Sequence, residues 1–277
     1  MLADGDEMRI IAGGQSLVPL MAMRLARPKR LIDIARIPDL AFVRKEDGSV
    51  TIGATTRQCV VEYDPVVRAE LPLLAKVLPF VGHAPIRSRG TIGGSLANAD
   101  PAAEIVLVAV TLGATLIYQD GTRRVEVPAS DFFLGPMLTA MPATGCLVAA
   151  RFPIWREARV GVGFQEVNAR ASDFAFASAA AQIALDETGI CRRAALGIGA
   201  ITPCPLRFDG IAEALIGTRP DQAGVRAAVE SALADIEPLS DLHASAGYRR
   251  RAAAALAARA VIEAYAAAKA AEDAHAR

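Results

Sequence analysis

An α+β chain with a boundary near residue 155 is the fold class that three features of the sequence predict. Near the N-terminus a strand-like segment runs into two glycines and then a helical pattern. Strand patterns crowd residues 114–153, and beyond a charged stretch the pattern restarts and ends in alanine-rich helices. With 277 residues, 53% hydrophobic and 22% charged, the chain can build one large or two modest globular domains.

Taken in order, residues 9–12 read as a strand, 16–23 as a helix and 31–34 as a strand, a small βαβ-like unit. The Asp47-Gly48 turn precedes a strand at 49–53. Residues 60–81 have a helical pattern broken by Pro65, Pro72 and Pro79. A polar, glycine-bearing stretch at 82–100 leads to a helix at about 102–112. ATLIYQ and RRVEV flank Asp120-Gly121, a strong hairpin signal, and LVAARFP closes the section. Residues 156–159 are charged and read as a linker. A strand near 163–167, a helix at 176–185 and a strand at 194–200 follow. Helices at about 210–215, 221–234 and 246–271 complete the chain, and no internal repeat is visible.

Composition narrows the function. Thirty basic and thirty acidic residues cancel, and no basic stripe marks a nucleic-acid footprint. The longest apolar run, 105–118, has 14 residues, against roughly 20 for a membrane span. It reads as a buried helix followed by a strand. The acidic start lacks the apolar core of a signal peptide. Cys59, Cys146, Cys191 and Cys204 are scattered without a CxxC pair, so neither a zinc ribbon nor an iron–sulfur cluster is encoded, and a reduced, cytoplasmic protein is expected. His83, His243 and His275 have no metal-site spacing.

Two glycine motifs carry the chemistry. In Ile11-Ala12-Gly13-Gly14-Gln15-Ser16-Leu17 a strand meets a helix start. Such a turn can aim several backbone N–H groups at one point and bind phosphate, because glycine permits positive φ and close approach. The alternative is a tight turn without a ligand. Thr91-Ile92-Gly93-Gly94-Ser95 repeats the pattern, with Asn98 and Asp100 close behind. Two such turns suit two sides of a pyrophosphate, although two unrelated turns would look the same. Neither is a G-x-G-x-x-G fingerprint, and no acidic residue about 20 positions on stands in the expected role.

AGGQSL at 12–17 and RxRGTIGGSLANADPAAE at 87–104 resemble the flavin-binding subunits of molybdenum hydroxylases. That group includes the medium subunits of carbon monoxide dehydrogenase and quinoline oxidoreductase and the central domain of xanthine dehydrogenase. The resemblance continues through DFFLGP at 131–136, ARFP at 150–153, ASDFA at 171–175, ITPCPLR at 201–207 and DLHASAGYRRR at 241–251.

The resemblance implies a PCMH-type, vanillyl-alcohol-oxidase-like FAD-binding domain of two α/β subdomains over 1–155. A smaller α+β C-terminal domain over 160–277 would follow. It implies FAD on this chain, with the diphosphate between Ile11, Ala12, Gly13, Gly14, Gln15, Ser16 and Leu17 on one side and Thr91, Ile92, Gly93, Gly94 and Ser95 on the other, near Ala97 and Asn98. Val81, Gly82 and Leu147 match flavin-pocket positions, although Val81 and Leu147 also read as plain core. Glu104 matches a position, usually a shorter Asp or Asn, that reaches the adenosine part. Arg170, Asp173 and Phe174 match a segment beside the isoalloxazine, although Phe174 also reads as core at a helix start and Arg170–Asp173 as a surface pair. Arg87 and Arg89 are either a solvated loop or helpers in placing the flavin phosphates or a partner.

The implied function is electron transfer from [2Fe–2S] clusters of a small subunit, fed by a molybdopterin-binding large subunit, through FAD to an external acceptor. A heterotrimer or a dimer of heterotrimers is implied, with no catalytic base or metal on this chain. A self-contained flavin oxidoreductase and a flavin-free anion-binding or scaffold protein stay open. The family also has a strand and helix ahead of the first glycine motif. Here that motif lies close to Met1, so either the start is misplaced or the first domain lacks an edge. The alanine-rich last helix is read as packing on its own domain, with a partner surface as the alternative.

Overall fold

The computed structural model describes residues 8–275, and the expectation about the start at Met1 lies outside them. β1 (Met8–Ile11), α1 (Leu17–Ala22) and β2 (Arg30–Asp33) form the βαβ unit, β1 and β2 pairing in parallel with Ile11 opposite Asp33. β3 (Val43–Glu46), which the sequence pattern does not reveal, forms a hairpin with β4 (Ser49–Gly53).

The helical stretch that follows is divided into α2 (Gln58–Tyr63), α3 (Pro65–Glu70) and α4 (Pro72–Val77), then a short 3-10 turn at 78–80. Pro65 and Pro72 each occupy the first turn of a new helix, where a missing N–H leaves no bond unmade. Asp64 caps α3 by accepting from the Val66 and Val67 N–H groups at 2.8 and 3.1 Å. The polar stretch at 82–100 carries α5 (Ala84–Arg89) and α6 (Ile92–Asn98).

The long apolar run becomes α7 (Glu104–Leu112) and β5 (Thr115–Asp120), as its length and breaks imply. β6 (Arg123–Pro128), α8 (Ala129–Phe132), β7 (Phe133–Gly135), β8 (Leu138–Thr139) and β9 (Gly145–Pro153) follow. An antiparallel five-stranded sheet has the order β3-β4-β9-β5-β6. A second, four-stranded antiparallel sheet contains β10 (Arg159–Val167), β11 (Ala177–Leu185), β12 (Cys191–Gly199) and β13 (Leu206–Arg207) in sequence order. α9 (Asp209–Leu215), α10 (Gln222–Ala232) and α11 (Ala246–His275) end the chain. Arg159 already belongs to β10, so the charged connection is shorter than the expected linker.

The expected helix at 176–185 is wrong: this segment is the central strand β11. Alanine favours helix, and every residue of β11 is buried, so no in–out alternation marks the strand. The pairing shows why. Ala177, Ala179, Ala181, Ile183 and Leu185 face α11, while Ala180 joins the core around α7. Two antiparallel neighbours, β10 and β12, outweigh the local propensity.

Small residues set the spacing of these layers. A Cβ on Gly161 or Gly163 of β10 would overlap the carbonyl oxygens of Ala264 or Ala260 of α11. The alanine-rich helix therefore packs on its own sheet at backbone contact. On the opposite face α7 lies against β12, where a Cβ on Gly197 would overlap the Thr111 hydroxyl. That hydroxyl is itself satisfied by donating to the Leu107 carbonyl at 2.8 Å. Ile105 to Leu112 are all buried, which an apolar helix surrounded by protein requires. The edge-to-face pair Phe80–Phe164, with centroids 4.9 Å apart, and the Lys76–Glu263 ion pair at 2.6 Å join the two halves at the same seam.

Gly163→Ala is expected to destabilise the chain by about 3 kcal/mol, since the obstructing atom is main chain. Gly210→Ala in α9, where a Cβ meets open space, is expected to stabilise it by about 0.5 kcal/mol. Urea unfolding of both variants measures the opposite signs.

Candidate functional site

The first glycine turn leaves the end of β1 and enters α1. Gly14 has φ +72°, the left-handed region, and Gly13 sits so close to Arg89 and Gly90 that a Cβ would strike the Arg89 carbonyl oxygen. The Gln15 side-chain amide donates back to the Gly13 carbonyl at 3.1 Å and stiffens the turn. Ser16 stands at the N-cap of α1 without a side-chain capping bond. Among the described residues, no protein acceptor is in hydrogen-bonding geometry with the N–H groups of Gly13, Gly14, Gln15 or Ser16.

Ile11, Ala12, Gly13, Gly14 and Gln15 line a cleft of about 690 Å³ together with Asp33, Arg36, Arg57 and Arg89. This volume is within the roughly 300–1,000 Å³ of cofactor and small-molecule sites. Three arginines against one aspartate give the lining a basic excess. The Arg57 guanidinium donates to the Arg89 carbonyl, so one cleft arginine also holds the backbone that supports Gly13. Arg36 and Arg57 were not singled out from the sequence. Asp33, 20 positions after Gly13, was passed over, yet it stands at the end of β2 in this cleft and accepts the Ala35 N–H at 2.9 Å.

The second motif is built differently from its reading as a turn: Ile92, Gly93 and Gly94 open α6. Their N–H groups are committed within the protein. Ile92 donates to the Thr56 carbonyl at 3.1 Å, Gly93 to the Ala54 carbonyl at 2.9 Å, and Gly94 to the capping Thr91 hydroxyl at 3.0 Å. Gly93 is glycine because Ala54 leaves no space for a Cβ. Thr91 and Ile92 are buried, while Ser95, Ala97 and Asn98 are half-buried along α6. The direct contact with the first turn is made by Arg89 and Gly90, just ahead of this motif.

Other candidate positions disperse. Val81 and Leu147 are buried in the core around α7. Gly82 has φ +52° and faces Ile86. Arg87 is neither solvated nor in the cleft: it pairs with Glu62 at 2.7 Å and donates to the Gly82 carbonyl at 2.9 Å, fixing the turn at 79–82. Arg170 and Asp173 form an exposed i,i+3 contact at 3.6 Å. Phe174 is 69% exposed and lies on no helix, which corrects its reading as core at a helix start.

Glu104 is half-buried in the first turn of α7 and forms part of a carboxylate cluster with Asp100 and Glu166. Burial, then repulsion from Asp100, pushes the Glu104 carboxyl up to about 7. Burial, then repulsion from Glu104, pushes Glu166 up to about 7 as well. Burial also raises Asp100. Glu166 accepts from the Asn168 side chain at 3.0 Å through one oxygen, while its other oxygen is buried without a partner among the described residues. Glu166 is remote from Glu104 in sequence, so no spacing signal announced the pair.

Residues 1–155 match the family described as FAD binding domain in molybdopterin dehydrogenase, and residues 163–264 match the CO dehydrogenase flavoprotein C-terminal domain. The chain is 35% identical to subunit alpha of the 6-hydroxypseudooxynicotine dehydrogenase complex of Paenarthrobacter nicotinovorans, over 90% of this chain and 84% of that protein. It is 32% identical to the carbon monoxide dehydrogenase medium chain of Hydrogenophaga pseudoflava, over 88% of this chain and 85% of that one. Among solved structures, quinoline 2-oxidoreductase from Pseudomonas putida 86 matches with a TM-score of 0.90 at 35% identity, covering 96% of this chain and 92% of that one. No helix among the described residues is long and apolar enough to cross a membrane.

The raised carboxyls bind protons more tightly in the folded chain than in the unfolded one, where glutamate titrates near 4.5. Their contribution to stability is therefore full below about 4.5 and is lost as pH rises through about 7. Glu166→Gln is expected to gain stability relative to the parent chain at pH 8 and to gain less at pH 5. Urea midpoints at the two pH values check the difference.

Proposed function

Because the chain belongs to the family of FAD-binding medium subunits of molybdenum hydroxylases, we propose that it holds FAD in the cleft at the end of β1 and relays electrons there. The electrons come from [2Fe–2S] clusters of a small partner subunit, after substrate is oxidised on a molybdopterin-binding large subunit, and leave to an external acceptor. One observation carries this reading: the backbone N–H groups of Gly13, Gly14 and Gln15, without a protein acceptor among the described residues, border a cleft lined by three arginines, and the equally unmet Ser16 N–H follows them. A diphosphate is the part of FAD that such donors fit.

In this reading Ile11, Ala12 and Leu17 shape the turn, while Thr91, Ile92, Gly93 and Gly94 support it from behind. Ser95, Ala97 and Asn98 border the ligand along α6. Val81, Gly82 and Leu147 back the ring, Arg170, Asp173 and Phe174 stand beside it, and Glu104 faces the adenosine part. Residues 1–155 form the PCMH-type FAD-binding domain of two α/β subdomains, and 160–277 the C-terminal domain. The assembly is a cytoplasmic heterotrimer or a dimer of heterotrimers. When bound, FAD supplies the redox chemistry, accepting electrons singly and delivering them onward. The residues of this chain bind it, orient it and set the charge around it.

Gly14→Val places a branched side chain at φ +72°, against Val18 at 3.1 Å. The complex purified with this variant is expected to lose at least about tenfold in FAD affinity while its far-ultraviolet circular dichroism is kept. Arg36→Ala with Arg89→Ala removes two exposed cations and is expected to weaken FAD binding about tenfold per charge-assisted bond lost. A parent complex without a flavin absorption spectrum, or unaltered affinity in all of these variants, rejects the assignment.

A further inference from the structure

Arg249 is only 4% exposed, although it lies in the first turn of α11, where a cation opposes the partial positive charge of the helix end. A buried guanidinium persists where its donors are met. Here the two terminal nitrogens are met: one donates to the Phe176 carbonyl at 2.6 Å and to the Ala200 carbonyl at 2.8 Å, and the other to Asp241 at 2.5 Å, while Nε is buried without an acceptor among the described residues. Asp241 is fixed in turn by the His243 and Ala244 N–H groups, both at 2.9 Å. These bonds hold its carboxyl down at about 2, so Arg249 faces a carboxylate at neutral pH.

The three acceptors belong to separate segments. Ala200 has φ +67°, and its N–H donates to the Pro101 carbonyl at 3.0 Å, between α6 and α7. Phe176 closes the loop that carries Arg170, Asp173 and Phe174, and its ring stacks on His243 with centroids 6.1 Å apart. Inside that loop Asn168 reaches the Asp173 carbonyl at 3.4 Å, and the Asp173 N–H donates to the Arg170 carbonyl at 3.0 Å. The loop is thus closed on itself and presents an exposed Phe174. At its far end the Phe176 N–H donates to the Val167 carbonyl at 2.7 Å, and Arg249 takes the Phe176 carbonyl.

We propose that Arg249 is a positioning residue for the flavin: by gripping the Phe176 and Ala200 carbonyls together it sets where the 170–174 loop, and with it Phe174, stands relative to the ring. This rests on the cofactor reading above. The planar fork of arginine spans two carbonyls and a carboxylate at once, whereas the point charge of lysine cannot.

The test compares Arg249→Lys and Asp241→Asn with the parent chain, each in the complex with its partner subunits. Hydrogen exchange of the loop amides and the visible circular dichroism of bound flavin are read in parallel. In Arg249→Lys the amides of Asp173 and Phe176 are expected to exchange about tenfold faster while those of the β11 core do not change. The flavin dichroism is expected to shift with them, and Asp241→Asn to move both readouts the same way by less. Should Arg249→Lys fail to fold, Asp241→Asn and His243→Ala decide through the same two readouts. Folded variants with unaltered loop exchange, or with faster exchange and an unchanged flavin signature, overturn the inference and leave the flavin assignment standing. A parent complex devoid of flavin overturns both.

Discussion

The second sheet is held between two helical layers that press on its glycines, α11 with main-chain atoms and α7 with the Thr111 and Leu107 side chains, and the rest of the structure depends on that double contact. α11 reaches β10 because Gly161 and Gly163 present no side chains, and α7 reaches β12 because Gly197 presents none. A strand covered on both faces can use alanine as freely as valine, since volume rather than propensity limits it there. The same closeness delivers Glu166 of β10 to Glu104 of α7. Burial then makes both carboxyls reluctant to ionise, so the seam carries a titratable pair where neighbouring surfaces are apolar.

Much of the fold was legible, because the relevant signals are local. The break in the apolar run separated α7 from β5, Asp120-Gly121 marked the hairpin, and Pro65 and Pro72 marked breaks in the helical stretch, which the structure places at new helix starts. The failure at β11 has a physical cause: its identity lies in its neighbours, and ASAAAQIAL by itself is a helical sequence. β3 escaped notice because VRKE is too polar and short to alternate.

The strand-to-helix turn of the first motif was legible in the sequence, and the build of the second less so. Both contain Gly-Gly, but their glycines answer different demands. Gly14 provides a left-handed bend beside free amides, whereas Gly93 provides space under Ala54 and keeps its amide bonded within the chain. Sequence shows the residue type and not the demand. Arg36 and Arg57 enter the cleft from the turn after β2 and from the start of α2, so only tertiary structure unites them with Gly13. Arg249 lay in a recognised motif without a role. The available signal was a cation in the first turn of a helix, the end where the macrodipole disfavours one.

The seat of the first glycine turn is peptide: the Arg89 carbonyl and the Gly90 α-carbon carry Gly13. The charges around it, Arg36, Arg89 and Asp33, hang from side chains. Shape and electrostatics are thereby entrusted to different parts of the chain. Natural drift can recolour the walls, altering the field felt by whatever lies inside, while the footing keeps its contour.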